Sequence, residues 1–254
     1  EGHQGADAVG DGVAELGESW GAALAALNCE APVALRVNTL KTDRENARNL
    51  LLQEGIQCLP VGAAGLVLEW RANVFRSRAF QSGLIEVQDI SSQLVAPFLR
   101  VEPGMCVIDA CAGGGGKTLH LAALMQNKGR LIALDTEAWK LDELRKRASR
   151  AGVHCIETRP IVSSKVIKRL HGTADRLLLD VPCSGLGVLR RNPDAKWKLQ
   201  PEQIENLRQT QQDILRHYTR MLRPGGQFVY ATCSILPSEN ERQVEMFLEE
   251  HPGE

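Results

Sequence analysis

Two of the seven cysteines stand where a thiol could react rather than merely pack. Cys183 lies in Asp180-Val181-Pro182-Cys183-Ser184-Gly185, just past the apolar run Leu177-Leu178-Leu179. Cys233 lies in Thr232-Cys233-Ser234, just past Phe228-Val229-Tyr230-Ala231. A thiolate is a strong nucleophile and can form a covalent intermediate with an electrophilic carbon. Each of these cysteines is flanked by a serine and sits beyond a strand-like stretch instead of inside one. Cys29, Cys58, Cys106 and Cys155 have no such setting, and burial as small apolar side chains is expected for them.

A second chemistry-bearing group is the segment Asp109-Ala110-Cys111-Ala112-Gly113-Gly114-Gly115-Gly116-Lys117-Thr118, between a strand-like and a helix-like stretch. Its glycines let backbone approach a ligand, and the free N–H groups that open a helix attract a carboxylate or phosphate. A flexible turn is the plain alternative. Gly116-Lys117-Thr118 matches the end of a nucleotide-phosphate loop, with Asp180 available for magnesium, but such a loop needs glycine where this chain has Cys111. The dinucleotide pattern G-x-G-x-x-G fits only loosely. Asp135, about 20 residues past the loop and at the end of the next apolar run, suits the acidic residue that holds ribose hydroxyls. Loop and aspartate together favour a ligand that carries adenosine.

The elements that must position these residues follow from periodicity. Apolar spacing predicts a helix over 13–27, a strand over 33–37, a helix over 43–54 ending at Gly55, and a strand over 66–70. Beyond residue 84 longer apolar strands alternate with helices. Strands are predicted over 105–109, 130–134, 153–157, 176–180 and 227–232. Helices are predicted to open at 119 and to span 139–150 and 201–222, the last stopped by Arg223-Pro224-Gly225-Gly226. That alternation is α/β, a Rossmann-like sheet, which puts both cysteines, the loop and Asp135 at the strand carboxyl ends where such sheets bind ligands. The organisation is a loose tail over 1–12, a small α+β domain over 13–85 and a catalytic domain over 86–254.

Composition narrows the classes. The 254 residues carry 30 Lys+Arg against 31 Asp+Glu, so any site for a polyanion must be local. With 43% hydrophobic and 24% charged residues the chain is globular, not disordered. Aromatics at 4% argue against a binder built mainly from rows of base-stacking side chains. The cysteine count is odd, no CxxC, HExxH or paired-histidine spacing occurs, and no secretory leader or apolar span is visible. A cytoplasmic protein with no metal site and no membrane contact, and a monomer, is expected. Lys140, Arg145, Lys146, Arg147 and Arg150 share one predicted helix, but Asp142 and Glu143 interrupt them, so a solvated face is expected. Arg190, Arg191, Lys196 and Lys198, with Trp197 among them, are better candidates for phosphate and base contacts.

Taken together, Val87-Gln88-Asp89-Ile90-Ser91-Ser92-Gln93, the loop from Asp109 to Thr118, Asp180 to Gly185, Arg190-Arg191-Asn192-Pro193-Asp194 and Tyr230-Ala231-Thr232-Cys233-Ser234 resemble the Sun/Fmu type of RNA (cytosine-5) methyltransferases. The likeness spans roughly residues 32 to 250, and its paired Pro-Cys and Thr-Cys motifs are its specific part. The resemblance implies a class I methyltransferase sheet and S-adenosylmethionine as cofactor. The cofactor contacts it implies are Cys111, Ala112, Gly113, Gly114, Gly115, Gly116, Lys117, Asp135 and Asp180. It implies Cys233 as nucleophile, Cys183 in product release and Asp180 as the acid at the ring's N3. By its charge Lys117 suits anchoring the base or lowering the thiol pKa, with a solvated lysine as the plain alternative. The partner implied is RNA, ribosomal RNA ahead of transfer RNA, met by the small N-terminal unit with its Arg36-Val37-Asn38-Thr39.

Three departures from the family pattern matter. Gly113-Gly114-Gly115-Gly116-Lys117 stands where Ala-Pro-Gly-Gly-Lys is common, which should keep the backbone cradle but loosen it. Thr158-Arg159-Pro160-Ile161-Val162 lacks the usual acidic residue near the adenine, so no role is transferred there. The family's sheet continues past Glu254 with a closing hairpin, and a truncated chain is expected. The rival expectations are a phosphate-loop ATPase and an RNA-binding or ribosome-assembly factor that keeps the fold without turnover.

Overall fold

A computed structural model of the chain describes residues 14–192 and 199–252. Its elements in chain order are α1 (Ser19–Leu27), β1 (Ala34–Val37), α2 (Arg44–Gln53), β2 (Cys58–Val61), β3 (Gly65–Leu68), α3 (Arg78–Gln81), β4 (Ile85–Val87), α4 (Ile90–Phe98) and β5 (Cys106–Asp109). They continue with α5 (Gly116–Leu124), β6 (Arg130–Asp135), α6 (Ala138–Ala151), β7 (Ile156–Pro160), α7 (Ser164–Lys168), β8 (Ala174–Asp180), α8 (Pro201–Tyr218), β9 (Leu222–Ala231) and α9 (Glu241–Glu250). The expected tail over 1–12 lies outside the described residues. So do Pro193, Asp194, Lys196, Trp197 and Lys198.

Local signals explain most element ends. The Asp43 side chain accepts from the Asn46 N–H and starts α2. Gly152, in the left-handed region, closes α6, and the Val153 N–H returns to the Ala148 carbonyl. That cap takes Val153 out of the third parallel strand, which was expected over 153–157 and runs instead over Ile156–Pro160. Gly115, at φ 85°, starts α5 at Gly116, ahead of the expected opening at 119. Helix α8 ends at Tyr218, before the expected stop, and β9 already begins at Leu222. Gly226 allows this, since a Cβ there would lie 3.0 Å from the Ala174 carbonyl oxygen of β8. Strands β2 and β4 and helix α4 are too short to be read from sequence, whereas α9, with Val244, Phe247 and Leu248 at helical spacing, was legible and sequence reading missed it.

The described chain forms two compact units. One comprises residues 32–179 and 220–229, the other the described parts of 1–31, 180–219 and 230–254. The first holds two sheets. The smaller, in the order β2-β3-β1-β4, is antiparallel throughout and covers a core of Leu35, Leu51, Leu66 and Ile85, all fully buried. The larger has the order β7-β6-β5-β8-β9, with β5 parallel to β6 and β8 and β6 parallel to β7. This is the Rossmann-like arrangement expected from the alternation of strands and helices. Its order reverses at β5, which makes the carboxyl end of β5 the switch point where such sheets take ligands. The second unit has its own core of Leu186, Leu189, Ile204 and Leu236.

Candidate functional site

In the second unit, strand pairing brings the two reactive-looking thiols together. The Val181 N–H donates to the Ala231 carbonyl at 3.0 Å. Cys183 and Cys233 lie two residues further along each segment, and their sulfurs are 3.1 Å apart. The Cys233 N–H also donates to the Cys183 sulfur at 3.2 Å. The Gly187 N–H holds the Cys233 carbonyl at 2.9 Å, and a Cβ on Gly187 would sit 2.7 Å from that oxygen, so only glycine lets the two loops close this far. Cys233 is exposed and Cys183 half-buried. The hydrogen bond with Cys233 and burial push the Cys183 thiol well above its ordinary range, so Cys183 is a thiol at neutral pH. Asp180 ends β8, half-buried, three residues before Cys183.

Behind the thiols stands a carboxylate that sequence reading missed. Glu239 is fully buried and accepts from the Ser184 N–H at 2.9 Å, the Ser184 hydroxyl and the Gln211 amide at 3.0 Å. Gln211 also donates to the Pro182 carbonyl, and the Tyr230 hydroxyl donates to the Glu239 carbonyl. Both cysteine loops are thus tied to one buried group. The only sequence signal was an acidic residue shortly after the Thr-Cys motif.

In the first unit, the glycine loop after β5 is closed by its own backbone and by Asp135. The Gly113 N–H donates to Asp135 Oδ2 at 2.8 Å and the Glu137 N–H to Oδ1 at 2.8 Å. Asp135, 7% exposed, therefore fastens the loop to the end of β6. A carboxylate offers about four lone-pair positions, so two acceptor sites are left for hydroxyls of a ligand. Ala112, Gly113, Gly114, Gly115 and Gly116 follow one another into α5, with Cys111 and Lys117 half-buried at the two ends. A Cβ on Gly115 would lie 2.1 Å from Leu144 Cδ1. Below the loop, the buried Thr118 hydroxyl donates to Asp109 at 2.7 Å. The loop offers the N-terminus of a helix and a ribose-type acceptor on adjacent strands, a fit to an adenosine ligand with an anionic end.

Three expectations change. Cys29 is exposed, not buried as a small apolar side chain. Arg36, Val37 and Asn38 are 1%, 1% and 3% exposed, so the Arg-Val-Asn run is not a face for RNA. Both faces of the short strand β1 are covered, and Asn38 spends its amide on the Gly83 and Ala151 carbonyls. The charged face of α6 divides. Arg145 and Lys146 form exposed pairs with Asp142 and Glu143, as a solvated face does, but Arg147 and Arg150 both reach the buried carboxylate of Glu86. Arg190 and Arg191 are exposed. Among the described residues no group of His, Cys, Asp and Glu could hold a metal ion, and no helix is long and apolar enough to cross a membrane.

The family described as 16S rRNA methyltransferase RsmB/F matches residues 96–254, and the RsmF/B-like ferredoxin-like domain matches residues 12–75. The chain is 37% identical over 248 residues to the probable ribosomal RNA small subunit methyltransferase B of Synechocystis sp., covering 92% of this chain and 54% of that protein. It is 38% identical over 236 residues to ribosomal RNA small subunit methyltransferase B of Pasteurella multocida, covering 91% and 53%. Among solved structures, a methyltransferase homolog from Pyrococcus horikoshii superimposes with a TM-score of 0.83 at 30% identity, covering 94% of this chain and 76% of that one. The chain spans about half the length of the curated relatives it matches.

Proposed function

The chain belongs to the 16S rRNA methyltransferase RsmB/F family, and from that premise we propose that it methylates carbon 5 of a cytosine in RNA through a covalent cysteine adduct. The observation that carries this reading is the pair of sulfurs 3.1 Å apart, one exposed and one held as a thiol. Family membership removes the phosphate-loop ATPase. The relatives' names favour ribosomal RNA as substrate. Residues 13–85 are proposed as the small RNA-facing domain and 86–254 as the catalytic domain.

Carbon 5 of cytosine is too weak a nucleophile to take a methyl group unaided. Attack of the Cys233 thiolate on carbon 6 turns the ring into an enamine, and the charge that develops at N3 is met by a proton from Asp180. S-adenosylmethionine supplies an electrophilic methyl on a sulfonium. The residues proposed to hold it are Cys111 to Lys117 and Asp135, with Asp180 at the neighbouring strand end. Lys117 adds a cation at the start of α5, proposed to anchor the base.

Release needs a base for the carbon 5 proton. Before the adduct forms, the hydrogen bond with Cys233 is the first cause, ahead of burial, that raises the Cys183 thiol above its ordinary range. Once the Cys233 sulfur is bonded to carbon 6 that cause is removed, which eases loss of the Cys183 proton to solvent although burial still opposes it. The Cys183 thiolate then takes the carbon 5 proton, the carbon 5–carbon 6 double bond re-forms, the Cys233 sulfur leaves with the bonding pair, and the N3 proton returns to Asp180. The test is incubation with labelled S-adenosylmethionine and ribosomal RNA, followed by mapping of 5-methylcytosine. Label at cytosine carbon 5 is expected. Label on another base or atom, or none with intact cofactor binding, refutes the reading, and the second result would favour an idle RNA-binding factor.

A further inference from the structure

The four-glycine loop has no side chains with which to hold itself, yet a guanidinium grips it from outside. Arg147 of α6 donates from Nη1 to the Gly114 carbonyl at 2.5 Å. The other face of the same peptide group is fixed by the Gly115 N–H, which donates to the Ala112 carbonyl at 2.9 Å. One peptide plane is thereby pinned at both its polar atoms. Glycine has wide backbone freedom, and an unpinned Gly-Gly peptide can rotate to turn a carbonyl oxygen toward a ligand. For a carboxylate ligand that would replace a donor with a repulsive acceptor.

Arg147 is itself held by the small antiparallel sheet. Its Nε and Nη2 donate to Glu86 Oε2 at 3.3 and 3.0 Å, and Arg150 takes the other oxygen of Glu86. Glu86 is 2% exposed, and strand pairing sets it opposite Arg36. Arg36, 1% exposed, donates to Gln88 at 2.6 Å and points Nη2 at the Gly116 carbonyl at 3.5 Å. Three guanidinium groups thus surround one buried carboxylate next to the loop, and burial lowers the pKa of Arg36 to about 10, leaving it charged at neutral pH. The excess is positive, which favours an anionic ligand group in the loop.

We propose that Arg147, held by Glu86 of the small sheet and supported by Arg36, is the positioning residue that shapes the glycine loop for the carboxylate end of the cofactor. The small sheet is then a working part of the cofactor site as well as a separate layer. This rests on the assignment of the loop to S-adenosylmethionine.

The test compares S-adenosylhomocysteine, which has the amino-acid carboxylate, with methylthioadenosine, which lacks it, by titration calorimetry. Arg147→Met should weaken S-adenosylhomocysteine about tenfold, the order expected for loss of one charge-assisted hydrogen bond, and leave methylthioadenosine within about twofold. Glu86→Gln should move in the same direction. A folded Arg147→Met protein that loses neither ligand, or loses both equally, overturns the proposal, because a merely structural role has no preference for the carboxylate. If circular dichroism shows that Arg147→Met does not fold, Arg147→Lys decides by the same ratio, which must fall at least about threefold. Asp135→Ala separates the two readings. If it leaves both affinities unchanged, the loop assignment fails and the proposal with it, whereas a loss there together with unchanged Arg147 variants refutes only the positioning role.

Discussion

At the scale of single residues, the cysteine pair makes a division of labour that a denaturing gel can read. In the proposed mechanism Cys233 forms the bond to the ring, and Cys183, whose thiol is raised by its neighbour and by burial, acts once that bond exists. Cys183→Ala should therefore accumulate an RNA-protein adduct stable to denaturation, formed only with S-adenosylmethionine present. Cys233→Ala and the double variant should form none, with cofactor affinity within about twofold of wild type. An active RNA that gives no slow band with Cys183→Ala would remove Cys183 from the release step. A packing role for Cys183 predicts a modest loss of stability and no adduct.

At the scale of elements, the start of α5 is the sensitive point. Gly115 has a left-handed φ of 85°, and a Cβ there would overlap Leu144 of α6 at 2.1 Å. Strain of this kind costs roughly 1–3 kcal/mol before any overlap is added. Gly115→Ala should lower the melting temperature by several degrees, on the order of 2–4 °C per kcal/mol for a chain of this size, and weaken S-adenosylhomocysteine binding. Gly55→Ala is the control, since its Cβ meets nothing within 4 Å although its φ of 75° is also left-handed. It should destabilise less and leave cofactor affinity unchanged. Equal affinity in both variants would show that the backbone at Gly115 does not shape the loop.

At the scale of the whole molecule, acid stability should report a buried imidazole. His120, 7% exposed on α5, has its pKa lowered from 6.5 to about 3, first by burial and second by Arg36. The unfolded chain takes up this proton near pH 6.5 and the folded chain does not. The contribution of neutral His120 is thus fully present above pH 6.5 and is lost as pH falls toward 3, by up to about 1.4 kcal/mol per pH unit. Urea unfolding between about pH 7 and 4.5 should show a steeper loss for wild type than for His120→Gln. Parallel curves would mean that His120 is protonated in the folded chain.

Much of this protein is legible in its sequence, for a local reason. Glycine placement, capping side chains and apolar runs act within a few residues, so the parallel strands, the loop after β5 and the cysteines beyond β8 and β9 could be read directly. Asp43 starts a helix and Gly152 ends one whatever surrounds them. The tertiary structure alone decided which distant groups meet. Cys183 and Cys233 are 50 positions apart, and the register of Val181 on Ala231 is what sets their sulfurs side by side. Arg147 is 61 positions from Glu86, and nothing on α6 distinguishes it from the solvated Arg145 until the helix turns one face inward. A charge can be buried only where a partner awaits it, so Glu86, Arg36 and Glu239 become interpretable once packing has chosen their neighbours.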